Sequence, residues 1–137
     1  EDDCLIAAVC NGATYGGGYW AAPMSDLQDG MLDVIVVKKI GRLRIAGVLA
    51  KYKNGEHYQD GHVVSEFADI MEYRRARRVS VAPVETGDVI VNIDGECAPA
   101  PALCAQVLPM AARFVLPAPL YAAFSGKKAI ATAAFVP

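Results

Sequence analysis

The chain has 137 residues, a hydrophobic fraction of 54% and a formal net charge of −2. This length allows one domain with a hydrophobic core, and so apolar a composition excludes disorder over most of the chain. The near-neutral charge provides no overall field that attracts nucleic acid, so we expect no nucleic-acid partner, while a local basic patch stays open.

Four cysteines are present, and none of them forms a Cys-x-x-Cys motif: Cys4, Cys10, Cys97 and Cys104. The two histidines also lack zinc-finger spacing, so we interpret the cysteines as small buried thiols in a reducing compartment, which predicts a cytoplasmic protein. The sequence opens on three acidic residues, without a signal peptide or an initiator methionine. We therefore expect a fragment of a longer protein.

Two strands are predicted in the first forty residues. Residues 5–9 form a short apolar run that ends at a turn signal, and residues 33–38 form a continuous β-branched run that is typical of a buried strand. Between them lie Gly16, Gly17 and Gly18, whose backbone can adopt conformations that other residues resist. A loop of this kind also allows another chain to come close.

An acidic loop precedes the second strand. Asp26, Asp29 and Asp33 are three carboxylates within eight residues, and Gly30 lets the chain turn sharply between them. Mg²⁺ takes oxygens from one or two carboxylates together with carbonyls and water, which the Asp29 side chain and the main-chain oxygens of Asp26 and Met31 offer. A solvated turn closed by Asx hydrogen bonds explains the same residues, so spacing alone leaves both interpretations open.

Residues 42–53 are predicted to form a short helix. Leu43, Ala46 and either Val48 or Leu49 recur at helical spacing, and the apolar residues Ile45, Leu49 and Tyr52 adjoin them. A glycine just past the end of this segment is typical of a helix cap.

The following segment is ambiguous at its start. Residues 63–71 fit a helix, whereas the alternation further on favours a strand from about residue 69 to residue 82. Four arginines lie within residues 73–78. Arginine clusters bind phosphate or acidic lipid head groups, but charge also protects an exposed edge strand, and both interpretations stay open.

Residues 88–97 read DVIVNIDGEC, a β-branched strand that ends in an acid pair. Asp-Gly is a common hairpin turn, but a turn does not require the second acid, Glu96. If Asp94 is catalytic, its carboxylate suits the role of a general base toward an alcohol, and Glu96 can raise its proton affinity or help to hold a cation.

The C-terminal part is apolar, but four residues interrupt it as a membrane span: Pro109, Arg113, Pro117 and Pro119. We predict instead a strand at residues 105–108, a turn at Pro109 and a strand at residues 112–116, followed by an alanine-rich tail at residues 120–137. Several strands and one helix predict a mainly β fold, an antiparallel β-sandwich, over residues 1–119.

Short glycine and aspartate motifs follow one another along the chain, and the series is far more specific than any of its members. They are, in order, Asn11-Gly12, Gly16-Gly17-Gly18, Ala22-Pro23, Asp29-Gly30-Met31-Leu32-Asp33-Val34, Gly41-Arg42-Leu43, Gly55-Glu56-His57, Tyr73-Arg74-Arg75-Ala76 and Asp94-Gly95-Glu96. The series spans roughly residues 5–117 and resembles the C-terminal domain of the bacterial diacylglycerol and lipid kinase family, which is related to the sphingosine kinases.

The resemblance implies a two-domain enzyme that phosphorylates a lipid hydroxyl, diacylglycerol-like or sphingoid, with ATP and Mg²⁺. In that family an N-terminal domain binds ATP through a Gly-Gly-Asp-Gly-Thr loop, which this sequence lacks. We expect a C-terminal domain truncated at its N-terminal side, whose partner is the missing kinase domain and which is inactive alone. A lipid substrate implies a place at the membrane surface, peripheral to the membrane, and exposed strand edges allow a homodimer.

The resemblance also implies residue roles. Asp94 matches the proposed general base of the family, and Glu96 is then its electrostatic partner or a contact to Mg²⁺–ATP. Asp26, Asp29 and the Met31 carbonyl match a structural Mg²⁺ site, although Gln28 stands where the family often has a further aspartate.

Gly16, Gly17, Gly18 and Arg74 are assigned to substrate binding. If the glycine loop and Asp94 serve one active site, they must share one cleft. The competing hypothesis is a non-enzymatic β-sandwich module whose arginine face, at residues 74–78, binds anionic lipid or a protein.

Overall fold

The computed structural model describes residues 3–113 and 115–118. By its internal contacts the chain divides into two compact units, Glu1–Val107 and Leu108–Pro137. The predicted domain boundary at residue 119 and the tail at residues 120–137 lie outside the described residues and stay predictions.

The first unit consists mainly of antiparallel strands. It contains the α-helix α1 (Arg42–Lys53) and a short 3-10 helix (Ser65–Phe67). The strands are β1 (Cys4–Cys10), β2 (Leu32–Lys38), β3 (Tyr58–Gln59), β4 (His62–Val63), β5 (Met71–Ala76), β6 (Arg78–Val81), β7 (Val89–Ile93), β8 (Glu96–Ala100) and β9 (Leu103–Gln106). All the strand pairs in the described residues are antiparallel, which confirms the predicted mainly β class.

A three-stranded sheet in the order β1-β2-β5 forms the centre of the unit. The β-branched strand β2 pairs on both sides, so its backbone groups are satisfied and its side chains Ile35 and Val37 are buried. Smaller two-stranded sheets join β3 to β4, β6 to β9 and β7 to β8. The predicted strands at residues 5–9 and 33–38 are confirmed as β1 and β2.

The prediction that the four cysteines are buried is correct for Cys10 alone. Cys4, Cys97 and Cys104 are free thiols that lie exposed. Cys10 ends β1, where the core covers it.

Helix α1 occupies the predicted residues 42–53 and buries only part of its predicted apolar surface. Val48 and Tyr52 are buried and belong to the core cluster, whereas Leu43 is 96% exposed and Ala46 is also exposed. Of the apolar residues that predicted the helix, Val48 and Tyr52 are thus the ones that pack on the core. The helix has apolar side chains on two arcs, and the arc with the large aromatic ring of Tyr52 removes more area from water.

Further along the chain, the predicted strand at residues 69–82 is divided. It forms β5 and β6, which pair with different partners, β2 and β9 respectively, and Arg77 lies at the break. One alternating pattern can supply both strands, so the break cannot be seen without the pairing.

Toward the C-terminus, the predicted strand at residues 105–108 lies a little earlier, at β9. The turn at Pro109 is confirmed, because the Ala111 N–H donates to the Leu108 carbonyl at 3.3 Å and Met110 has a φ of 54°. The strand predicted at residues 112–116 is wrong, since the described residues of that segment are not in a strand. Their apolar run lacks alternation and is flanked by prolines, which disfavour a sheet ladder.

None of the helices in the described ranges is long and apolar enough to span a membrane.

The C-terminus of α1 is closed by Gly55, which has a φ of 75°. The Gly55 N–H donates to the Tyr52 carbonyl at 3.2 Å, and a Cβ built at this glycine would lie 3.2 Å from Cγ of Trp20. Both the left-handed conformation and the packed indole therefore require glycine here, as the predicted cap implied.

Two glycine substitutions should change stability in opposite directions. Gly55→Ala should lower the free energy of unfolding by more than about 1 kcal/mol, because a Cβ meets both backbone strain and the Trp20 ring. Gly47→Ala, inside α1 with open space around its Cβ position, should raise it by about 0.5–1 kcal/mol. Urea denaturation of both variants measures this difference, and shifts of the same sign would contradict it.

Candidate functional site

The acid pair lies in a tight hairpin turn between β7 and β8. Ile93 pairs with Glu96, and the two residues between them, Asp94 and Gly95, have φ values of 53° and 93°. This is the pattern of a type I′ turn, whose twist matches that of the flanking strands. The Gly95 N–H donates to Oδ1 of Asn92 at 3.2 Å, so a side chain of the strand also holds the turn.

A second Asp-Gly turn shows that such a turn alone does not indicate function. Asp60 and Gly61 join β3 to β4 with φ values of 51° and 86°, the same conformation as in the first turn. What distinguishes the Asp94 turn is the carboxylate of Glu96 beside it and the apolar surface next to both acids.

That apolar surface is a groove of about 610 Å³, which we call the acidic-turn groove. Val91 and Ala98 are paired across the hairpin, as are Ile93 and Glu96, so these side chains project from one face. The groove is lined by Val91, Ile93, Asp94, Glu96, Ala98, Ala100, Ala102 and Leu103. Two exposed carboxylates thus stand at one end of a small apolar surface.

The three glycines form a turn closed by two tyrosines. Tyr15 and Tyr19 exchange backbone hydrogen bonds of 3.0 Å, and their rings stack with centroids 6.1 Å apart. Gly16, Gly17 and Gly18 have φ values of 24°, 68° and 82°. A Cβ on any of them would meet no atom within 4 Å, so the described residues require glycine there for backbone conformation and not for close packing.

A second groove, here called the glycine-turn groove, lies between this turn, α1 and the β1–β2 pair. Its volume is about 370 Å³ and its lining is almost wholly apolar. The lining residues are Leu5, Ile6, Tyr15, Gly16, Tyr19, Val37, Ile40, Ile45, Val48, Leu49 and Tyr52. Inside it the Tyr15 and Tyr52 hydroxyls are 3.2 Å apart, and burial, together with this contact, raises the pKa of Tyr52.

The glycine-turn groove and the acidic-turn groove have no lining residue in common. Gly16 belongs to the first and Asp94 to the second. The structure therefore does not bring the glycine turn and the acid pair together in either groove of the described chain, as a single cleft within this domain would require.

The acidic loop is folded on itself by the hydrogen bonds of its own backbone. Oδ1 of Asp26 accepts from the Gln28 N–H at 2.9 Å, and Oδ1 of Asp29 accepts from the Met31 N–H at 2.8 Å. These are Asx turns, the alternative that the sequence left open beside a metal site. Oδ2 of Asp29 also accepts from the guanidinium of Arg75.

Oxygen donors suited to Mg²⁺ are therefore present in this loop, but an arginine already compensates their charge. Asp29 has the carboxylate that a hard cation prefers, and Arg75 is bound to it. The described residues contain no group of three or more His, Cys, Asp or Glu side chains arranged to hold a metal. The donor set thus fits at most a weak cation site, and it leaves the predicted roles of Asp26, Asp29 and Met31 untested.

The same arginine compensates a buried carboxylate. Asp33 is 1% exposed and lies directly opposite Arg75 in the β2–β5 register, with 3.3 Å between its Oδ1 and the Arg75 Nε. The carboxylate also affects two neighbouring groups. Burial is the main cause that raises the pKa of Tyr73, and the charge of Asp33 adds to it. The same two causes, in the same order, raise the pKa of Cys10 to about 11. Sequence reasoning missed this pair because only the strand register brings residues 33 and 75 together.

The arginine segment is not a free basic face. Arg74 donates to Glu72 at 3.1 Å, Arg75 holds the two aspartates, and Arg78 donates to Oε1 of Gln106 at 2.5 and 3.2 Å. The side chain of Arg74 stays largely exposed despite its contact. A substrate-binding role for Arg74 therefore stays open, whereas a uniform anion-binding surface at residues 74–78 finds little support.

One of the two histidines is fully buried in the core. Nε2 of His57 lies 2.9 Å from the Ala21 carbonyl, and the ring packs on Tyr52 with centroids 4.8 Å apart. Burial lowers the pKa of His57, which keeps the ring neutral. This histidine thus has a packing role in the core.

Comparison with known proteins gives one family and two relatives. The model of the family described as YegS C-terminal NAD kinase beta sandwich-like domain matches residues 1–116. The chain is 28% identical over 116 residues to a probable lipid kinase YegS-like protein of Shewanella frigidimarina (strain NCIMB 400), covering 84% of this chain. It is 35% identical over 96 residues to a diacylglycerol kinase of Bacillus subtilis (strain 168), covering 70% of this chain.

The chain is much shorter than these relatives. The matched segments cover 34% of the Shewanella protein and 28% of the Bacillus protein. The chain therefore spans about a third of the length of the curated relatives that it matches.

Removing Arg75 should destabilise the fold far more than removing its neighbour. Arg75→Met leaves the buried Asp33 carboxylate without a counter-charge, which should cost about 3 kcal/mol of unfolding free energy. Arg74→Met, which removes only an exposed pair with Glu72, should cost less than about 1 kcal/mol. Urea denaturation measures both, and equal losses would show that Arg75 does not compensate Asp33.

Proposed function

The chain belongs to the family of YegS C-terminal NAD kinase beta sandwich-like domains, and from this membership we propose that it is the C-terminal domain of an ATP-dependent lipid kinase. The family match confirms the resemblance predicted from the sequence. The names of the two relatives, a probable lipid kinase and a diacylglycerol kinase, support a lipid alcohol as the phosphate acceptor.

The hairpin turn of Asp94 is the observation that carries the proposed chemistry. It holds a carboxylate at the tip of two paired strands, beside the acidic-turn groove, in which Val91 and Ile93 provide apolar surface. A lipid alcohol has both an apolar body and a hydroxyl, and this surface offers contacts to each. Asp94 is proposed as the general base that accepts the hydroxyl proton when the oxygen attacks the terminal phosphate.

Glu96 is proposed to act beside Asp94 and not in its place. It starts β8 directly after the turn, so its position is fixed by the pairing with Ile93. Phosphoryl transfer depends mainly on positioning and on neutralising charge, and Glu96 suits an electrostatic role toward Asp94 or toward Mg²⁺–ATP. ATP and its Mg²⁺ supply the phosphoryl group and its charge compensation when they are bound.

The partner domain is proposed to bind most of the nucleotide. The sequence has no Gly-Gly-Asp-Gly-Thr loop, and the chain spans about a third of its relatives, so activity is proposed to need an N-terminal kinase domain. The acid pair and the glycine turn line different grooves, so this chain alone does not form the predicted single cleft, and the active site is proposed to need that domain to complete it. On this proposal the chain alone is inactive.

The glycine turn and Arg74 are proposed to contact the substrate or the partner domain. Three consecutive residues with positive φ leave the backbone of Gly16, Gly17 and Gly18 uncovered, with open space where side chains would lie. Exposed backbone amides and an arginine side chain both suit oxygen-rich head groups. The enzyme would act at a membrane surface, as a cytoplasmic protein peripheral to the membrane.

Asp94→Asn should slow a lipid kinase that contains this domain by about 10²–10⁴-fold, because the amide cannot accept the hydroxyl proton. The matched control is Asp60→Asn, which makes the same change at the same position of an equivalent Asp-Gly turn. Its rate should stay within a few-fold of the unsubstituted enzyme. Phosphate transfer from ATP to a lipid alcohol measures both rates, and similar rates for the two variants would remove Asp94 from the mechanism.

Magnesium binding at the acidic loop should be limited by Arg75. We expect Mg²⁺ to raise the melting temperature of the chain slightly, and to raise that of Arg75→Met by more, because Asp29 is then free to bind the cation. Asp29→Asn should abolish the increase in either background. Calorimetry with Mg²⁺, and with equal ionic strength of NaCl as the control, separates binding from screening. An increase that survives Asp29→Asn would place the cation elsewhere.

A further inference from the structure

The outward side of α1 exposes apolar side chains that the packing of the core does not use. Leu43 is 96% exposed, and Leu49 is 45% exposed. Ala46 and Ala50 are exposed as well. At about 100° per residue these positions form a continuous surface on one side of the helix.

Two cations lie on the same side of the helix. Arg42 and Lys53 project next to Leu49 and Ala46, and both are exposed. We call this surface the α1 docking face, and it consists of Arg42, Leu43, Ala46, Leu49, Ala50 and Lys53. It adjoins the glycine-turn groove, because Leu49 also lines that groove.

The cations of α1 differ in whether they are paired with an acidic residue, and this depends on the side of the helix on which they lie. On the far flank, Arg44 pairs with Asp69 at 2.8 Å and Lys51 pairs with Glu66, so both cations are neutralised. The Arg44 pairing lowers the pKa of Asp69, as expected for an ion pair.

On the docking face, Arg42 and Lys53 have no acidic partner among the described residues. The Lys53 ammonium lies over the Tyr19 ring, 5.7 Å from its centroid. The twelve residues of the helix include no Asp or Glu.

Unpaired cations around exposed leucines favour one class of partner. A lipid bilayer with anionic head groups presents phosphates to Arg42 and Lys53, and apolar chains just below them to Leu43 and Leu49. A second copy of the chain is a poorer occupant, since a two-fold contact would bring the same cations together without an acid to compensate them.

We propose that the α1 docking face binds the surface of a membrane that contains anionic lipid, and this rests on the proposed function as a lipid kinase domain. Leu43 enters the interfacial layer, and Arg42 and Lys53 contact lipid phosphates. The glycine-turn groove, which shares Leu49 with the face, then opens close to the membrane. This surface is distinct from the arginines of residues 74–78.

Binding of the full 137-residue chain to vesicles tests the proposal directly. The chain should co-sediment with vesicles of phosphatidylcholine and phosphatidylglycerol. Much less of the chain should co-sediment with vesicles of phosphatidylcholine alone. Arg42→Gln and Lys53→Gln should each weaken binding about fivefold, and Leu43→Gln about tenfold. Added salt should weaken binding of the unsubstituted chain and have less effect on the variant without both cations.

Matched variants decide whether the effect belongs to this face. Arg44→Gln removes the same charge from the same helix, but on the flank that Asp69 neutralises, and it should change binding less than twofold. Val84→Gln removes another exposed apolar side chain and should also have little effect. Leu43 is almost fully exposed and glutamine is a good helix former, so circular dichroism should show an unchanged fold.

Three outcomes would overturn the proposal. The first is that the chain does not bind anionic vesicles, and the second is that Arg42→Gln and Arg44→Gln weaken vesicle binding equally. The third is that the chain forms a dimer without vesicles and Leu43→Gln dissociates it, which would make a second copy the occupant of the face. The assay contains no ATP and no phosphate transfer, so a failure of the kinase proposal would leave this result interpretable by itself.

Discussion

The central sheet depends on an ion pair between a buried carboxylate and a partly exposed arginine. Asp33 lies in the middle strand, almost without solvent contact, and Arg75 is its counter-charge on the neighbouring strand. A shift of one residue between β2 and β5 would move the arginine to the other face of the sheet and leave the carboxylate unpaired in an apolar surrounding. The pair therefore favours the observed register, together with the aliphatic side chains of β2, which a one-residue shift would also move to the other face.

That register has consequences beyond the sheet. Arg75 also holds Asp29, so the acidic loop before β2 is bound to the same strand that pairs with its end. The Arg75 guanidinium thus holds the loop in place, and because it occupies the Asp29 carboxylate it weakens the binding of a metal cation there. Burial, and after it the charge of Asp33, raises the pKa values of Tyr73 and Cys10, so both groups resist ionisation even more than in water.

The two grooves of the domain differ in the chemistry of their lining residues. The acidic-turn groove places carboxylates beside small apolar side chains, and the glycine-turn groove is lined by larger aliphatic and aromatic ones. The proposed transfer of phosphate from ATP to a lipid alcohol needs both kinds of surface. Because the two grooves share no lining residue, the active site is proposed to be completed by another domain, and α1 adds a cationic face at the edge of the apolar groove.

Much of the fold and part of the site follow from local patterns in the sequence. Strands β1 and β2, helix α1 and the Asp94-Gly95 turn were predictable, because β-branched runs, helical spacing and turn dipeptides act over a few neighbouring residues. The ordered glycine and aspartate motifs also identified the family, since each marks a backbone conformation or a charged position that the fold requires.

Contacts between distant residues were decided by tertiary structure alone. The sequence placed α1 correctly, but it has two apolar arcs, and only packing against the core selects Val48 and Tyr52 over Leu43 for burial. The Asp33–Arg75 pair, the break at Arg77 and the assignment of Gly16 and Asp94 to different grooves all depend on which strands become neighbours. Strand pairing joins residues that are tens of positions apart, so local periodicity carries no information about it.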